Sequence, residues 1–253
     1  MHLDLLRPGA IYTVGLNYRV PGEPEGAGPD RPMIYGKAAS SFTTDGATLS
    51  WDRTLTANVD AECELGVVIG RDAWRVDPAD VFDHLLGYTI VNDLSSRDPW
   101  LDGNQWLVGK SMPGFCPAGP RLVPVSELDP ADLQLRCSIN GEPIQDGRSS
   151  QMRFSVAEIV AFLSHHLALR PGDLIATGTP ARLTSPPGPD RHLEPGDVVT
   201  CWIEGIGELT TKIARHDTRR GTHDTRGGTQ DETADGVPGR DDEPRAGGLS
   251  GRA

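Results

Sequence analysis

The feature that most constrains how this chain can fold is a set of three acidic residues at the ends of two apolar runs. Glu62 and Glu64 open the first run, and Asp93 ends the second. A β-strand places residues i and i+2 on one face, so Glu62 and Glu64 are predicted to point the same way, with Cys63 opposite. If the second run is also a strand, its terminal carboxylate can meet the other two.

Three carboxylates at one point repel one another, which leaves cation binding or proton sharing as the ways to keep them together. Their hard oxygen ligands favour Mg²⁺, Mn²⁺ or Ca²⁺ over zinc. The alternative is that the two glutamates lie on the solvated face of an edge strand, where unpaired carboxylates are usually found. The spacing alone leaves both interpretations open.

The composition is that of one globular domain with additional segments. The chain has 253 residues, of which 37% are hydrophobic and 24% are charged, so its core needs no disulfide or structural metal. The net charge of −12 argues against nucleic acid or an anionic membrane as a partner. It does not exclude an anionic substrate, because a metal and a few local Arg or Lys residues can reverse the field in one cleft.

The sequence also predicts a cytoplasmic protein. Its four cysteines are widely spaced and form no Cys-x-x-Cys motif, which argues against a zinc site or redox pair and favours buried, reduced thiols. The segment 1–8 lacks the apolar core of a signal peptide, and no apolar stretch approaches the length of a membrane span. We therefore predict no membrane partner.

Short apolar runs separated by Gly and Pro predict many strands and few helices. Because these strands do not alternate regularly with helices, the pattern favours an α+β fold over a doubly wound sheet. The predicted strands are 11–16, 64–69, 88–91, 133–139, 173–177, 197–203 and 207–213.

Two helices have clear start signals. Asp77 followed by Pro78 is typical of an N-cap and a first helical position, and Gly87 is predicted to end that helix. Ser155 and Glu158 have the spacing of a capping box for the second helix. The second helix is predicted to bury one stripe, made of Val156, Ile159, Val160, Leu163 and Leu167.

The sequence does not contain either of two common catalytic motifs. No Gly-x-Ser-x-Gly sequence occurs, which argues against an α/β-hydrolase triad. Gly103 and the sequence Gly109-Lys110-Ser111 resemble a phosphate-binding loop, but their spacing is one residue too long, and no strand and helix flank them.

Several other short motifs occur in a defined order along the chain. They lie at 14–18, 60–70, 87–98, 109–111 with 116–120, 140–145, 169–180, 193–197 and 203–207. Together they resemble the fumarylacetoacetate hydrolase family over residues 11–213, in particular bacterial 2-hydroxyhepta-2,4-diene-1,7-dioate isomerases and acylpyruvate hydrolases. One such motif is weak evidence for a family, whereas so many motifs in the same order are specific evidence.

The resemblance implies a mixed β-sheet roll with a few short helices, commonly a homodimer. It implies Mg²⁺ or Mn²⁺ bound by Glu62, Glu64 and Asp93, with Lys110 facing the substrate as a catalytic residue; a solvated surface amine is the alternative for Lys110. Family substrates are acylpyruvates and related 2-oxo acids or dioates. The reactions are C–C hydrolysis, decarboxylation and isomerisation.

The sequence is predicted to form three parts. They are an N-terminal strand and lid segment at 1–50, a catalytic domain at 51–215 and a C-terminal tail at 216–253. The tail is mainly Asp, Arg, Gly and Thr, with a degenerate repeat that begins at His216 and again at His223. It is predicted to be disordered because it buries too little to offset its ordering entropy, although the two histidines could bind a metal loosely.

A further set of residues is predicted to bind the substrate. Three basic residues are candidates for carboxylate recognition, with surface salt bridges as the alternative. A Thr-Gly-Thr turn offers N–H and hydroxyl groups, with tight backbone geometry as the alternative. Two more residues belong to the matching motifs. The set is Tyr18, Arg19, Lys37, Arg97, Gln145, Thr177, Gly178 and Thr179.

The sequence departs from the family where a water-activating pair is expected. Hydrolytic and decarboxylating members usually carry a His shortly after the Asn-Tyr sequence and a Glu three residues later. Pro21 and Pro24 occupy those positions here, and a proline cannot act as a base. Glu23 or Glu25 can take the base role only with a shift in register. The segment 22–30 resembles a flexible lid, with a plain loop as the alternative.

Two smaller departures concern the pocket. Met112 and Pro113 stand where the lysine loop usually carries an aspartate. Arg182 stands where a glycine usually follows the Thr-Gly-Thr-Pro turn, a change expected to narrow or charge the pocket.

The sequence therefore predicts an Mg²⁺-dependent enzyme acting on a 2-oxo or 2-hydroxydienoic acid through a metal-stabilised enolate. Because the binding half of the site is complete and the usual base is missing, isomerisation and decarboxylation are favoured over hydrolysis. One alternative is an acylpyruvate hydrolase with Glu23 or Glu25 as base. Another is a catalytically silent homodimer that binds a metal and a ligand.

Overall fold

The computed structural model describes residues 7–24, 26–98, 105–183 and 191–216, so the predicted tail lies outside them from residue 217 onwards. The strands are β1 (Ile11–Gly15), β2 (Met33–Lys37), β3 (Phe42–Thr44), β4 (Thr48–Leu49), β5 (Val59–Asp60), β6 (Cys63–Ile69), β7 (Leu85–Asn92), β8 (Ser95–Ser96), β9 (Cys116–Pro124), β10 (Gln134–Ile139), β11 (Glu142–Arg148), β12 (Leu174–Ala176), β13 (Val198–Ile203) and β14 (Gly207–Ile213). The α-helices are α1 (Trp106–Lys110) and α2 (Val156–His166), and short 3₁₀ segments cover Ala39–Ser41, Pro78–His84, Val125–Glu127, Pro130–Asp132 and Ser149–Gln151.

Two mixed sheets contain most of the strands. The seven-stranded sheet has the order β2-β1-β12-β6-β7-β9-β3, and the five-stranded sheet has the order β11-β10-β13-β14-β4. Their parallel pairs are β1 with β12, β3 with β9, and β14 with β4. Strands β5 and β8 form a separate antiparallel pair. Mixed sheets with few short helices confirm the predicted fold class.

The main core lies between the two large sheets. Cys63, Leu65 and Val67 of β6 belong to the same buried cluster as Cys201 of β13. Val68 belongs instead to a smaller cluster, because alternate residues of a strand face opposite sides. This alternation leaves the acidic residues at the start of β6 on the side away from the main core.

The seven predicted strands are confirmed, with ends shifted by at most three residues. The helix predicted after Asp77 is wrong, because Pro78–His84 is a 3₁₀ segment without a side-chain cap and the chain already enters β7 at Leu85. Gly87 does not end a helix. It lies within β7, where an added Cβ would collide with the carbonyl oxygen of Val123, so glycine allows β7 and β9 to pack closely.

The second predicted helix is confirmed as α2. Ser155 and Glu158 form the capping box, with the Glu158 carboxylate accepting from the Ser155 N–H at 2.8 Å. The predicted buried stripe is correct except at Leu167, which is 39% exposed. Leu167 follows the last helical residue and has extended backbone, so it no longer continues the helical stripe.

Ser155→Ala is expected to lower the free energy of unfolding by about 1 kcal/mol, because the hydroxyl accepts from the otherwise unpaired N–H of Glu158 at 3.3 Å. The measurement is urea unfolding followed by circular dichroism. Ser126→Ala, which changes an exposed serine, is the matched control. Equal unfolding midpoints for the two variants would contradict the capping role.

Three broader expectations can also be compared with the structure. All four cysteines are free and buried, as predicted. Among the described residues, no helix has the length and hydrophobicity needed to cross a bilayer. The strands within 1–50 pair with strands of 51–215 in both large sheets, so the two segments share one fold.

Candidate metal centre and active-site cavity

The three predicted metal ligands converge where β6 begins and β7 ends. Cys63 of β6 pairs with Asn92 of β7, which places Glu62 beside Asp93. The N–H of Asp93 donates to the carbonyl oxygen of Glu62 at 2.9 Å. Glu64 reaches the same point from within β6, and one carboxylate oxygen from each residue lies within 4.8 Å of the others. The structure thus brings together the three carboxylates that the sequence singled out.

The turn after β12 holds Glu64 in place. The N–H of Gly178 donates to Oε2 of Glu64 at 2.8 Å. The hydroxyl of Thr177 donates to the carbonyl oxygen of Leu65 at 2.9 Å, and the hydroxyl of Thr179 donates to the backbone of β6 at 2.8 Å. The turn that was predicted to bind substrate therefore supports one of the predicted metal ligands. Of its residues, only Thr179 lines the cavity described below.

Two buried lysines contact the carboxylate cluster. Nζ of Lys37 lies 2.5 Å from Oδ1 of Asp93 and 3.1 Å from the carbonyl oxygen of Leu94. Nζ of Lys110 lies 2.6 Å from Oδ2 of Asp93 and 3.2 Å from Oε2 of Glu62. Lys37 was predicted to bind a substrate carboxylate, but the structure places it behind Asp93 as a partner of that side chain.

The surroundings shift the pKa values of the cluster in opposite directions. Burial, followed by the charges of Asp93 and Glu62, raises the pKa of Glu64 well above its ordinary value. Burial also opposes ionisation of Asp93, but the charges of Lys110 and Lys37 outweigh it and lower the pKa of Asp93. The nearby carboxylates raise the pKa of Lys110 despite its burial, so its amine is protonated. Glu64 is therefore the carboxylate whose negative charge most needs a further cation.

The donor set fits a hard divalent cation. It consists of carboxylate oxygens from three side chains, which Mg²⁺ and Mn²⁺ prefer and which zinc sites rarely use alone. Glu64 and Asp93 are 2% and 0% exposed, and a cation between them would relieve the repulsion that raises the pKa of Glu64. Glu62, Glu64 and Asp93 would hold such an ion.

An arginine links the cluster to a further aspartate. Nε of Arg97 donates to Oδ2 of Asp60 at 3.1 Å, and its Nη2 donates to Glu62 in a short contact. The guanidinium also lies over the ring of Trp106, 5.9 Å from its centroid. Oδ1 of Asp60 is 2.8 Å from Nδ1 of His192. Arg97, predicted to bind substrate, thus borders the cluster with part of its hydrogen-bonding capacity already used.

A cavity of about 530 Å³ opens onto these side chains. Its volume is sufficient for a small organic acid. The predicted site residues that line it are Tyr18, Glu62, Glu64, Asp93, Arg97, Lys110, Gln145 and Thr179.

The other predicted residues have different positions. Arg19 donates to the carbonyl oxygen of Met152 at 3.0 Å and lines a separate cavity with Glu23. Glu23 forms a short ion pair with Arg153, and this contact, with the N–H of Val20, lowers the pKa of Glu23. The structure therefore does not bring Glu23 to the carboxylate cluster. Glu25 lies outside the described residues.

Gln145 lines the cavity but has its polar atoms bound to protein. Its Oε1 accepts from the N–H of Cys63 at 3.0 Å, and its Nε2 donates to Thr179 and to the carbonyl oxygen of Pro180, both at 2.7 Å. Gln145 is 1% exposed. It positions the chain around Glu64 and the turn.

Sequence reasoning missed several residues of this site. Asp60 precedes Glu62 by two positions, so the same alternation that joined the glutamates could have included it. Ser95 donates to Oε2 of Glu62 at 3.0 Å and accepts from Lys110 at 2.6 Å. Ser95 follows Asp93 by two positions, so the same alternation could have identified it. Thr13, Tyr35 and Trp106 also line the cavity, and no local pattern marks them.

Comparison with known proteins decides the family. The family model of the fumarylacetoacetate (FAA) hydrolase C-terminal domain matches residues 10–214. The chain belongs to the fumarylacetoacetate hydrolase family. An uncharacterised protein of Pyrococcus horikoshii is 38% identical over 218 residues, which cover 84% of this chain and 91% of the relative.

Two solved structures are similar to this member of the family. Fumarylacetoacetate hydrolase from Exiguobacterium antarcticum has a TM-score of 0.78 at 35% identity, covering 83% of this chain and 76% of that one. 2-Hydroxyhepta-2,4-diene-1,7-dioate isomerase from Mycobacterium marinum has a TM-score of 0.71 at 36% identity, covering 86% and 77%. The predicted family and its fold are thus confirmed, and the chain is an enzyme of this superfamily.

Proposed function

We propose that this member is a divalent-metal-dependent enzyme that isomerises, decarboxylates or cleaves a 2-oxo or 2-hydroxydienoic acid. The observation that carries the proposal is the convergence of Glu62, Glu64 and Asp93 at a cavity that Lys110 also lines. A bound Mg²⁺ or Mn²⁺ would polarise a carbonyl oxygen of the substrate and stabilise the negative charge that develops there.

Lys110 supplies the fixed positive charge of the proposed mechanism. In the absence of a bound metal, Asp93, Glu62 and Glu64 raise the pKa of its amine, which is therefore protonated. Oγ of Ser95 accepts a hydrogen bond from Nζ of Lys110 at 2.6 Å, which fixes the direction of the amine. A preorganised cation of this kind stabilises an oxyanion without the reorganisation that water would need.

The position of Glu23 disfavours the rival hydrolase mechanism in which it is the base. Arg153 binds its carboxylate and lowers its pKa, and a base with a lowered pKa takes up protons poorly near neutral pH. Glu23 also lines a different cavity from the carboxylate cluster. This arrangement supports reactions that consume no water, which are isomerisation and decarboxylation.

The proposal is tested with protein stripped by EDTA and reloaded with Mg²⁺ or Mn²⁺. A panel of 2-oxo acids and 2-hydroxydienoic acids is followed by loss of enol absorbance, release of pyruvate and release of CO₂, which separate the three reactions. Turnover that requires the added metal supports the proposal. Ligands that raise the melting temperature without any turnover would favour the catalytically silent alternative.

Lys110→Met is expected to reduce kcat by about a hundredfold or more while the protein still binds Mg²⁺, because the methionine cannot stabilise an oxyanion. Steady-state kinetics and calorimetric titration with Mg²⁺ measure the two effects. Lys212→Met, which changes an exposed lysine on β14, is the control. Unchanged kcat in Lys110→Met would rule out the proposed role of this amine.

We also propose that the enzyme works as a homodimer on a small molecule, without nucleic acid or membrane as partner. Large apolar side chains in the cavity lining and on α1 support a protein interface there, since Leu16, Leu107 and Val108 are 67%, 56% and 47% exposed. Light scattering coupled to size-exclusion chromatography measures the mass, and a monomer at all concentrations would contradict the proposal.

A further inference from the structure

Three cavity-lining residues carry a buried polar atom that has no hydrogen-bond partner among the described residues. The atoms are Oγ1 of Thr13, Oη of Tyr18 and Nη2 of Arg182. Buried polar atoms are normally paired, so each such exception calls for an explanation. Their concentration at one cavity indicates a polar ligand that completes them.

Arg182 is the charged member of this group. Its Nη2 lies 3.6 Å from Oδ1 of Asp60, which is too far for a hydrogen bond. Both carboxylate oxygens of Asp60 already have partners. Oδ2 accepts from Nε of Arg97 at 3.1 Å, and Oδ1 lies 2.8 Å from Nδ1 of His192. Arg182 therefore keeps donor capacity for an anion other than Asp60.

The backbone of Arg182 is fixed at the cavity. It forms a β-bridge with Gln145, and the N–H of the next residue, Leu183, donates to the carbonyl oxygen of Ile144 at 2.8 Å. Among the residues that the structure describes, Asp60 is the only link between the Arg182 side chain and the carboxylate cluster, and Arg97 connects Asp60 to Glu62. An anion bound by Arg182 is thus separate from a group bound at the cluster.

With all of its carboxylates ionised and a divalent cation bound, the cavity would favour a ligand with two negative charges. Four carboxylates and four cationic side chains balance one another, counting the lysine behind Asp93. The carboxylates are Asp60, Glu62, Glu64 and Asp93, and the cations are Lys37, Arg97, Lys110 and Arg182. A divalent cation adds two positive charges, and a substrate with two negative charges restores the balance.

We propose that Arg182 binds a second anionic group of the substrate, so that this enzyme prefers a dianionic 2-oxo acid to a monoanionic one of the same length. The inference rests on the proposed function, which places the 2-oxo acid end at the metal cluster. Thr13 and Tyr18 complete the polar lining.

The test compares 2-oxoadipate with 2-oxohexanoate, which differ only in a terminal carboxylate against a methyl group. Binding to the Mg²⁺-loaded protein is measured by calorimetry, so the readout does not require turnover. We expect 2-oxoadipate to bind at least tenfold more tightly, the range of a charge-assisted hydrogen bond. Arg182→Gln should abolish this preference, and Arg182→Lys should keep part of it.

Arg170→Gln is the matched control, because Arg170 forms an exposed ion pair with Asp72 outside this cavity. It should leave the ratio of affinities unchanged. Equal affinities in the unmodified protein, or a preference that persists in Arg182→Gln, would overturn the role of Arg182 and leave the proposed function intact. Failure of both acids to bind would overturn both proposals. If Arg182→Gln does not fold, the ratio of affinities in the unmodified protein and in Arg182→Lys still tests the proposal.

Discussion

Glu64→Gln is expected to weaken binding of Mg²⁺ or Mn²⁺ by more than about a hundredfold and to abolish turnover. Loss of a residue that only supports a metal ligand costs about 10–100-fold in affinity, so loss of a charged ligand should cost more. The change keeps the size of the side chain and an oxygen that can accept from the N–H of Gly178. The fold should therefore survive, and calorimetric titration of EDTA-treated protein measures the loss.

When no metal is present, Glu64→Gln should make the fold more stable, although it weakens metal binding. Burial and two neighbouring carboxylates raise the pKa of Glu64, so its charge destabilises the metal-free fold at neutral pH. Replacing it by a neutral amide removes that repulsion. We expect a higher melting temperature without metal and no further rise when Mg²⁺ is added.

Glu127→Gln is the control, since it neutralises an exposed glutamate away from the cavity. It should leave metal affinity and melting temperature unchanged. A Glu64→Gln enzyme that binds Mg²⁺ with ordinary affinity and still turns over substrate would show that the carboxylate trio is not the metal centre.

Gly178→Ala is expected to lower the free energy of unfolding by about 2–4 kcal/mol and to weaken metal binding. Gly178 has φ +97°, and an added Cβ would lie 2.8 Å from Cβ of Asn17 and 2.9 Å from the carbonyl oxygen of Val14. Backbone strain and overpacking each cost about 1–3 kcal/mol. Any relief by movement of the turn would also displace the N–H that holds Glu64.

Gly196→Ala separates the effect of backbone strain from the effect of overpacking. Gly196 has a similar φ of +102° but nothing within 4 Å of an added Cβ, so this variant carries only the backbone strain. It should lose about 1 kcal/mol and keep its metal affinity. If urea unfolding gave the two variants equal stability, the close packing around Gly178 would not be the source of the effect.

The convergence of the two glutamates was predictable because its signal is local. Glu62 and Glu64 are two residues apart, and the geometry of a strand alone places them on one face. The same rule applied more widely would have added Asp60, whose carboxylate shares Arg97 with Glu62. Gly87 shows the limit of local signals, since a glycine that resembles a helix stop lies inside β7 because of its neighbour β9.

The functions of the basic residues were less predictable. Lys37 and Arg97 were equivalent candidates in the sequence, yet Lys37 is 4% exposed and bound to Asp93 while Arg97 lines the cavity. Burial depends on the whole sheet, so composition and spacing do not distinguish the two. Arg182 was noted only as a departure at one position. Only the structure shows that its Nη2 lies 3.6 Å from Asp60 and has no hydrogen-bond partner among the described residues.

The sequence by itself determined the family motifs, the seven main strands and the alternation that groups the two glutamates. These depend on covalent geometry and hydrophobic pattern over a few neighbouring residues. Only the tertiary structure decided which distant groups serve the site. Lys37 reaches Asp93 across 56 residues, and Gly178 reaches Glu64 across 114. Such contacts follow from the order of strands in a sheet, which brings together positions that no local pattern relates.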